Sequence, residues 1–244
     1  MRKKTQILSM SPNSNFKKNN LLFLIIIGLT FCSACASQRV WTYQTEAKIM
    51  NNPIRNNSVA VPPFIDKRIN ENKNRIGLYA IPLFPFGWQT MYTPEGVQMH
   101  TTSGLWLFRP NEDFAKAVAT ELENSSIFKE VFFTNRPSEA ELSLIGTIES
   151  TKYSGKVISY GLSVYGPLLW FFGLPAATSS NDLVLNFKLQ DNKTKEILWE
   201  SNYTKSMGNT SWIYYLKADF NYDKMLKEIM KEVIPSLNQK LSRG

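Results

Sequence analysis

Residues 183–203 read LVLNFKLQDNKTKEILWESNY and carry the plainest pattern in the chain. Leu183, Leu185, Phe187 and Leu189 alternate with Asn186, Lys188 and Gln190. Asp191, Asn192, Lys193 and Thr194 supply turn chemistry, and Ile197, Trp199, Ser201 and Tyr203 answer on the return. A period of two on both sides of an Asp/Asn turn predicts an antiparallel hairpin with one buried face. Its two strands need further strands beside them and a layer to cover the apolar side.

Working outward, residues 141–152 (ELSLIGTIESTK) alternate at Leu142 and Leu144 and predict a strand, as do 131–134 and the short run 58–64 (SVAVPPF), which Pro62 and Pro63 end. Residues 111–125 predict a helix: Asn111 as cap, Glu112 and Asp113 in the positive first turn, and Phe114, Val118 and Leu122 on one face. A second helix starts near Asn221 or Asp223, with Leu226, Ile229, Val233 and Leu237 as its stripe and Pro235 expected to kink it. Residues 105–108 predict a short strand, and 207–215 a loop. The expected fold is α+β: a mixed or antiparallel sheet of about five strands with two main helices packed on one face.

Two stretches break this order. Residues 157–181, VISYGLSVYGPLLWFFGLPAATSSN, hold no charge and five aromatics. Exposed together, five aromatics would present about 1,000 Å², more than a soluble monomer ordinarily shows. Gly161, Gly166, Pro167, Gly173 and Pro175 prevent one continuous helix, so the stretch reads as an irregular apolar insertion with a helical turn at 168–172. Residues 76–88, IGLYAIPLFPFGW, have the same chemistry, and nothing ionisable occurs between Arg75 and Glu95. The candidate partner or membrane surface is Tyr165, Leu168, Leu169, Trp170, Phe171, Phe172 and Leu174, with Phe84, Phe86 and Trp88 from the second stretch. Internal packing, a protein or lipid partner, and membrane insertion are all open readings of it.

At the start of the chain, Arg2, Lys3, Lys4, Lys17 and Lys18 precede an apolar run from Leu21 to Phe31, followed by Ser33, Ala34 and Ala36. Charged, apolar and small in that order is the pattern of a secretory signal, and the run is too short to span a bilayer. Residues 1–34 read as signal, 35–56 as a polar tether with a short strand at 40–43, and 57–244 as one domain carrying the insertions at 76–88 and 157–181. Removing the five basic residues of 1–34 from 28 leaves 23 against 20 acids, a net charge of +3. The basic balance therefore gives no argument for nucleic acid.

Little catalytic chemistry is encoded. His100 is the single histidine, which excludes His-x-x-x-His zinc sites and paired-histidine clusters. Ser126-Ile127-Phe128-Lys129 matches Ser-x-x-Lys but falls where a helix ends, without its companion motifs. Glu112/Asp113 and Glu139/Glu141 are adjacent acids that read as helix-end and strand-flanking charge. No enzyme, cofactor or metal is expected.

Cys32-Ser33-Ala34-Cys35 resembles the lipobox of bacterial lipoproteins, in which the cysteine after small residues is lipidated. The resemblance implies a diacylglycerol and palmitate anchor on Cys35. Ala36, rather than Asp, resembles an outer-membrane address. The segments VAVPPFIDKR, DFAKAVATELENSSIFKEVFF and AELSLIGTIES, with Gly146 early in the last, are similar to small α/β lipoproteins of the bacterial envelope: curli-secretion-like, Tol-translocation N-terminal and transport-auxiliary. These are scaffolds, adaptors or channel parts. The expectation is a lipid-anchored, non-catalytic adaptor of the outer membrane facing the periplasm, with an envelope protein partner or self-association. The alternative is a membrane-inserting or oligomeric component of an export or transport assembly.

Overall fold

The computed structural model describes residues 39–45, 53–96, 106–215 and 220–242. Residues 1–34, read as signal, together with Cys35 and His100 lie outside the described residues. Gln38–Gly244 clusters as one compact unit.

In chain order the strands and helices are β1 (Arg39–Val40), β2 (Arg55–Val61), β3 (Ile65–Asp66), β4 (Lys73–Arg75), β5 (Phe86–Met91), β6 (Trp106–Leu107), α1 (Pro110–Ser125), β7 (Phe128–Phe133), β8 (Leu142–Ser150), β9 (Tyr153–Ile158), α2 (Pro167–Phe171), β10 (Ala177–Asp191), β11 (Ile197–Ser211) and α3 (Tyr222–Ser242). Short 3₁₀ turns include Ile76–Ala80 and Ser163–Tyr165. Among the described residues, nine strands form one mixed sheet in the order β4-β5-β9-β10-β8-β2-β7, with β11 on β10 and β3 on β8, and β1 and β6 pair separately.

The expectation of about five strands and two helices is therefore overturned: the sheet has nine strands and the described helices are three. The hairpin is the reason. β10 and β11 are 15 residues each, far beyond the 183–203 alternation. β8 pairs with Val184–Asp191 of β10, and β9 with Ala177–Asn181. The sheet is thus two halves in series along one long hairpin, divided at Thr151–Lys152. Met207–Ser211, expected as loop, is the end of β11. Phe86–Met91, whose first residues were read as part of the apolar insertion, is β5, paired with β9.

The half nearer the Asp191 turn holds the core. Leu183, Leu185, Phe187 and Leu189 are fully buried, with Val59, Val61, Leu144 and Ile148 beside them. α1 packs on β7 and β2, α3 on β11 and β10, and the helices touch each other. Phe114, Val118 and Leu122 of α1 and Leu226, Ile229, Val233 and Leu237 of α3 are all buried, the stripe that a 3.6-residue period puts against a sheet. Pro235 lies inside α3. α1 starts two residues earlier than its Asn111 cap implied: Pro110, whose fixed φ suits the first helical position, opens it. Asp113 Oδ2 then accepts from the Arg109 N–H at 2.7 Å and satisfies the first turn. Trp41, in the segment read as tether, is buried edge-on against Phe114 and beside Phe108.

At the division between halves the polar groups freed by the strand break are tied down. Tyr222 Oη donates to the Thr151 carbonyl at 2.7 Å, and Asn181 Oδ1 accepts from the Asn221 side chain at 3.2 Å. Arg68, with a side chain only 3% exposed, donates to Thr151 Oγ1 at 2.6 Å and to both oxygens of Glu95, and pairs with Asp66 at 2.7 Å. This clamp joins the loop after β3 to the turn after β5, which is what a buried guanidinium requires.

Candidate functional site

The half of the sheet beyond Thr151 ends in a cap built from both charge-free stretches. β5 and β9 pair from Phe86↔Ile158 to Met91↔Tyr153, so the segments leaving them, 81–85 and 159–176, emerge side by side. Gly87 permits the 3₁₀ turn to lie against β5, since a methyl there would fall within 2.6 Å of the Ile76 carbonyl carbon. The Leu83 N–H donates to the Gly161 carbonyl at 2.9 Å, and the Ser159 and Tyr160 N–H groups both donate to the Pro85 carbonyl at 2.9 Å. Gly161 adopts φ +79° at this bend.

Side-chain polar atoms of the cap turn inward. Ser159 Oγ donates to the Phe84 carbonyl at 2.8 Å, Ser163 Oγ to the Ala80 carbonyl, Tyr160 Oη to the Pro175 carbonyl at 2.7 Å and Trp170 Nε1 to the Ile158 carbonyl at 2.9 Å. Burial holds the Tyr160 phenol above its ordinary pKa. From the loop after β11, Tyr214 Oη donates to the Phe171 carbonyl at 3.1 Å.

Apolar side chains face out. Leu83 is 90% exposed, Phe172 81%, Tyr214 73% and Tyr165 68%. Leu168, Phe171, Phe84, Ile81, Leu162, Val164 and Tyr215 are exposed as well. Leu169, Trp170, Leu174, Phe86 and Trp88 are half-buried and form the cap's underside. The sequence thus identified the stretch and some of its outward members (Phe84, Tyr165, Leu168, Phe171 and Phe172), while Ile81, Leu83, Leu162, Val164, Tyr214 and Tyr215 were missed. Leu83 and Leu162 sat in charge-free runs and were open to that reasoning. Tyr214 and Tyr215 carried no such signal. The helical turn read at 168–172 is α2, Pro167–Phe171.

The other sequence candidates are dispersed. Ser126 takes a left-handed conformation (φ 54°) as α1 ends and Lys129 is on β7, so no helical turn sets the lysine over the hydroxyl. Glu112 pairs with Lys116, Glu139 with Arg136, and Glu141 accepts from Asn57. Among the described residues, no group of three or more His, Cys, Asp or Glu side chains could hold a metal, and no helix is long and apolar enough to cross a membrane. A cleft of about 630 Å³ lies between residues 40–44 and the start of α3. Its ionisable lining is Asp223, Lys224 and Lys227, one acid and two lysines on a single helix end, without a nucleophile beside them.

The sequence matches no family model and no curated protein. Among solved structures it is similar to protein XCC0632 from Xanthomonas campestris, described under family DUF330, at a TM-score of 0.49 and 15% identity over 86% of this chain and 100% of that one. It is also similar to a PelC dodecamer from Paraburkholderia phytofirmans, at a TM-score of 0.39 and 14% identity over 77% of this chain and 91% of that one.

Proposed function

We propose that the protein is a lipid-anchored module of the bacterial envelope that works by binding rather than catalysis, with the charge-free cap as its working surface. The observation that carries the reading is the outward display of Leu83, Phe172, Tyr165 and Leu168 from two segments joined to each other by backbone hydrogen bonds. A soluble domain that merely stored these residues would turn them into its core, as it does with Leu183, Leu185 and Phe187. The anchor follows from the signal-like N-terminus and its Cys35, and the absence of catalysis from the scarcity of histidine and the scatter of the acids. The outer membrane, facing the periplasm, is the address that Ala36 favours.

Palmitate labelling of the full chain in a bacterial host tests the reading. The chain takes up label and sediments with membranes, and Cys35→Ser abolishes the label. A chain that is processed but never labelled refutes the anchor.

A further inference from the structure

We infer that the cap docks onto the surface of an anionic bilayer, with its leucine and phenylalanine side chains below the headgroups and a basic, tryptophan-bearing row of the sheet at headgroup level. The inference deepens the proposed function by naming the partner of the cap, and it rests on that reading.

Two observations single out lipid. The first is polar accounting. Protein interfaces carry about one hydrogen bond per 100–200 Å², whereas bilayer hydrocarbon demands that backbone groups be satisfied internally. In the cap, the N–H groups of Ser159, Tyr160, Leu162, Tyr165, Gly166 and Leu169 all donate to backbone carbonyls. Its serine hydroxyls and the Trp170 indole are spent the same way. These groups are not available to a protein partner.

The second is charge. Cross-strand register places Arg75 beside Trp88, Trp88 beside Lys156, and Lys156 beside Thr178 in one row, two residues below the cap. Directly paired residues share a face, and Lys156 Nζ lies 4.9 Å from the centre of the Phe86 ring. The strand segments 73–75, 86–91, 153–158, 177–181 and 207–211 hold Lys73, Arg75 and Lys156 and no acidic residue. Apolar tip, aromatic margin and cations in sequence is the profile of an interfacial element, and each cation near an anionic surface favours binding.

The test is flotation of lipid-free Ala36–Gly244, which contains the compact unit, with phosphatidylcholine vesicles made with and without phosphatidylglycerol. The unaltered protein floats with the phosphatidylglycerol vesicles. Joint Leu83→Ser and Phe172→Ser lowers partitioning about 100-fold, and joint Arg75→Gln and Lys156→Gln about tenfold or more on anionic vesicles alone. All four positions are exposed, and unchanged thermal melting confirms that each variant is folded. Protein that stays at the bottom with both vesicle types overturns the inference, as does equal flotation of the Leu83/Phe172 variant. Self-association abolished by that variant, without flotation, assigns the cap to a second copy and overturns it too. Palmitate label on Cys35 is read separately, so a failed flotation leaves the anchor standing.

Discussion

Gly146→Ala tests the packing of the core half. Gly146 lies on β8 opposite Phe187 of β10, and the Phe64 ring meets Phe187 edge-on with centroids 5.7 Å apart. The ring covers the glycine so closely that an added methyl would fall 2.6 Å from Phe64 Cζ. Carbon atoms in contact sit about 3.5–4.0 Å apart, so the ring must move by about 1 Å. Phe64 is itself 3% exposed, and the movement presses it into Phe187. Overpacking of this kind costs about 1–3 kcal/mol. For a domain of this size that lowers Tm by roughly 2–4 °C per kcal/mol. Urea unfolding followed by circular dichroism, with thermal melts in parallel, reads the loss. Phe64→Leu frees the space, so the two substitutions together should cost less than the sum of each alone, by about 1 kcal/mol. A Gly146→Ala protein as stable as the original, or strictly additive substitutions, would refute the contact.

Replacing Arg68 by Met strands Glu95 and Asp66 without their cation and costs about 2–3 kcal/mol, at or below the range for a broken buried pair because both acids keep some water contact; urea titration at neutral pH measures it. The hydrogen bond from Arg68, working against partial burial, holds the Asp66 carboxyl below its ordinary pKa. Its stabilisation is therefore present above about pH 4 and lost as pH falls through the lowered value, so the Arg68→Met protein should lose less stability on acidification than the original. Tyr222→Phe leaves the Thr151 carbonyl without its donor and costs about 1–2 kcal/mol. Burial raises the Tyr222 phenol; its contribution is complete below about pH 10 and is lost as pH rises from there. An alkaline melt that falls equally in both proteins would refute that assignment.

What the sequence revealed was whatever alternated in hydrophobicity. Leu183 to Leu189 and the faces of α1 and α3 could be read directly because large apolar groups recur at the period of their element. The strands missed, β5, β9 and the first third of β10, alternate in size instead. Their inward positions are mostly small or polar (Gly87, Gln89, Gly155, Ala177, Ser179 and Asn181), with single large groups at Met91 and Tyr153, so no hydrophobic period runs through them. Gly87 is small because the Ile76–Ala80 turn lies on it, and Asn181 is polar because Asn221 meets it, facts that only the tertiary structure supplies. The same holds for Gly146: the glycine was visible, while Phe64 above it was not. At the cap, absence of charge marked the two segments that pair to form it. Which side chains turned outward depended on Pro85, Gly161 and Ser159 joining the segments, so half-buried Leu169 and Trp170 were grouped with exposed Phe172.

The most direct measurement of the central claim places an environment-sensitive fluorophore on the cap of the lipidated protein. Leu83→Cys, labelled and reconstituted in phosphatidylglycerol-containing membranes, should shift its emission to the blue and be quenched by lipid-borne nitroxides. The same label at Lys193→Cys, in the opposite β10–β11 turn, should stay in water. A Leu83 label as water-like as the Lys193 label would contradict the account.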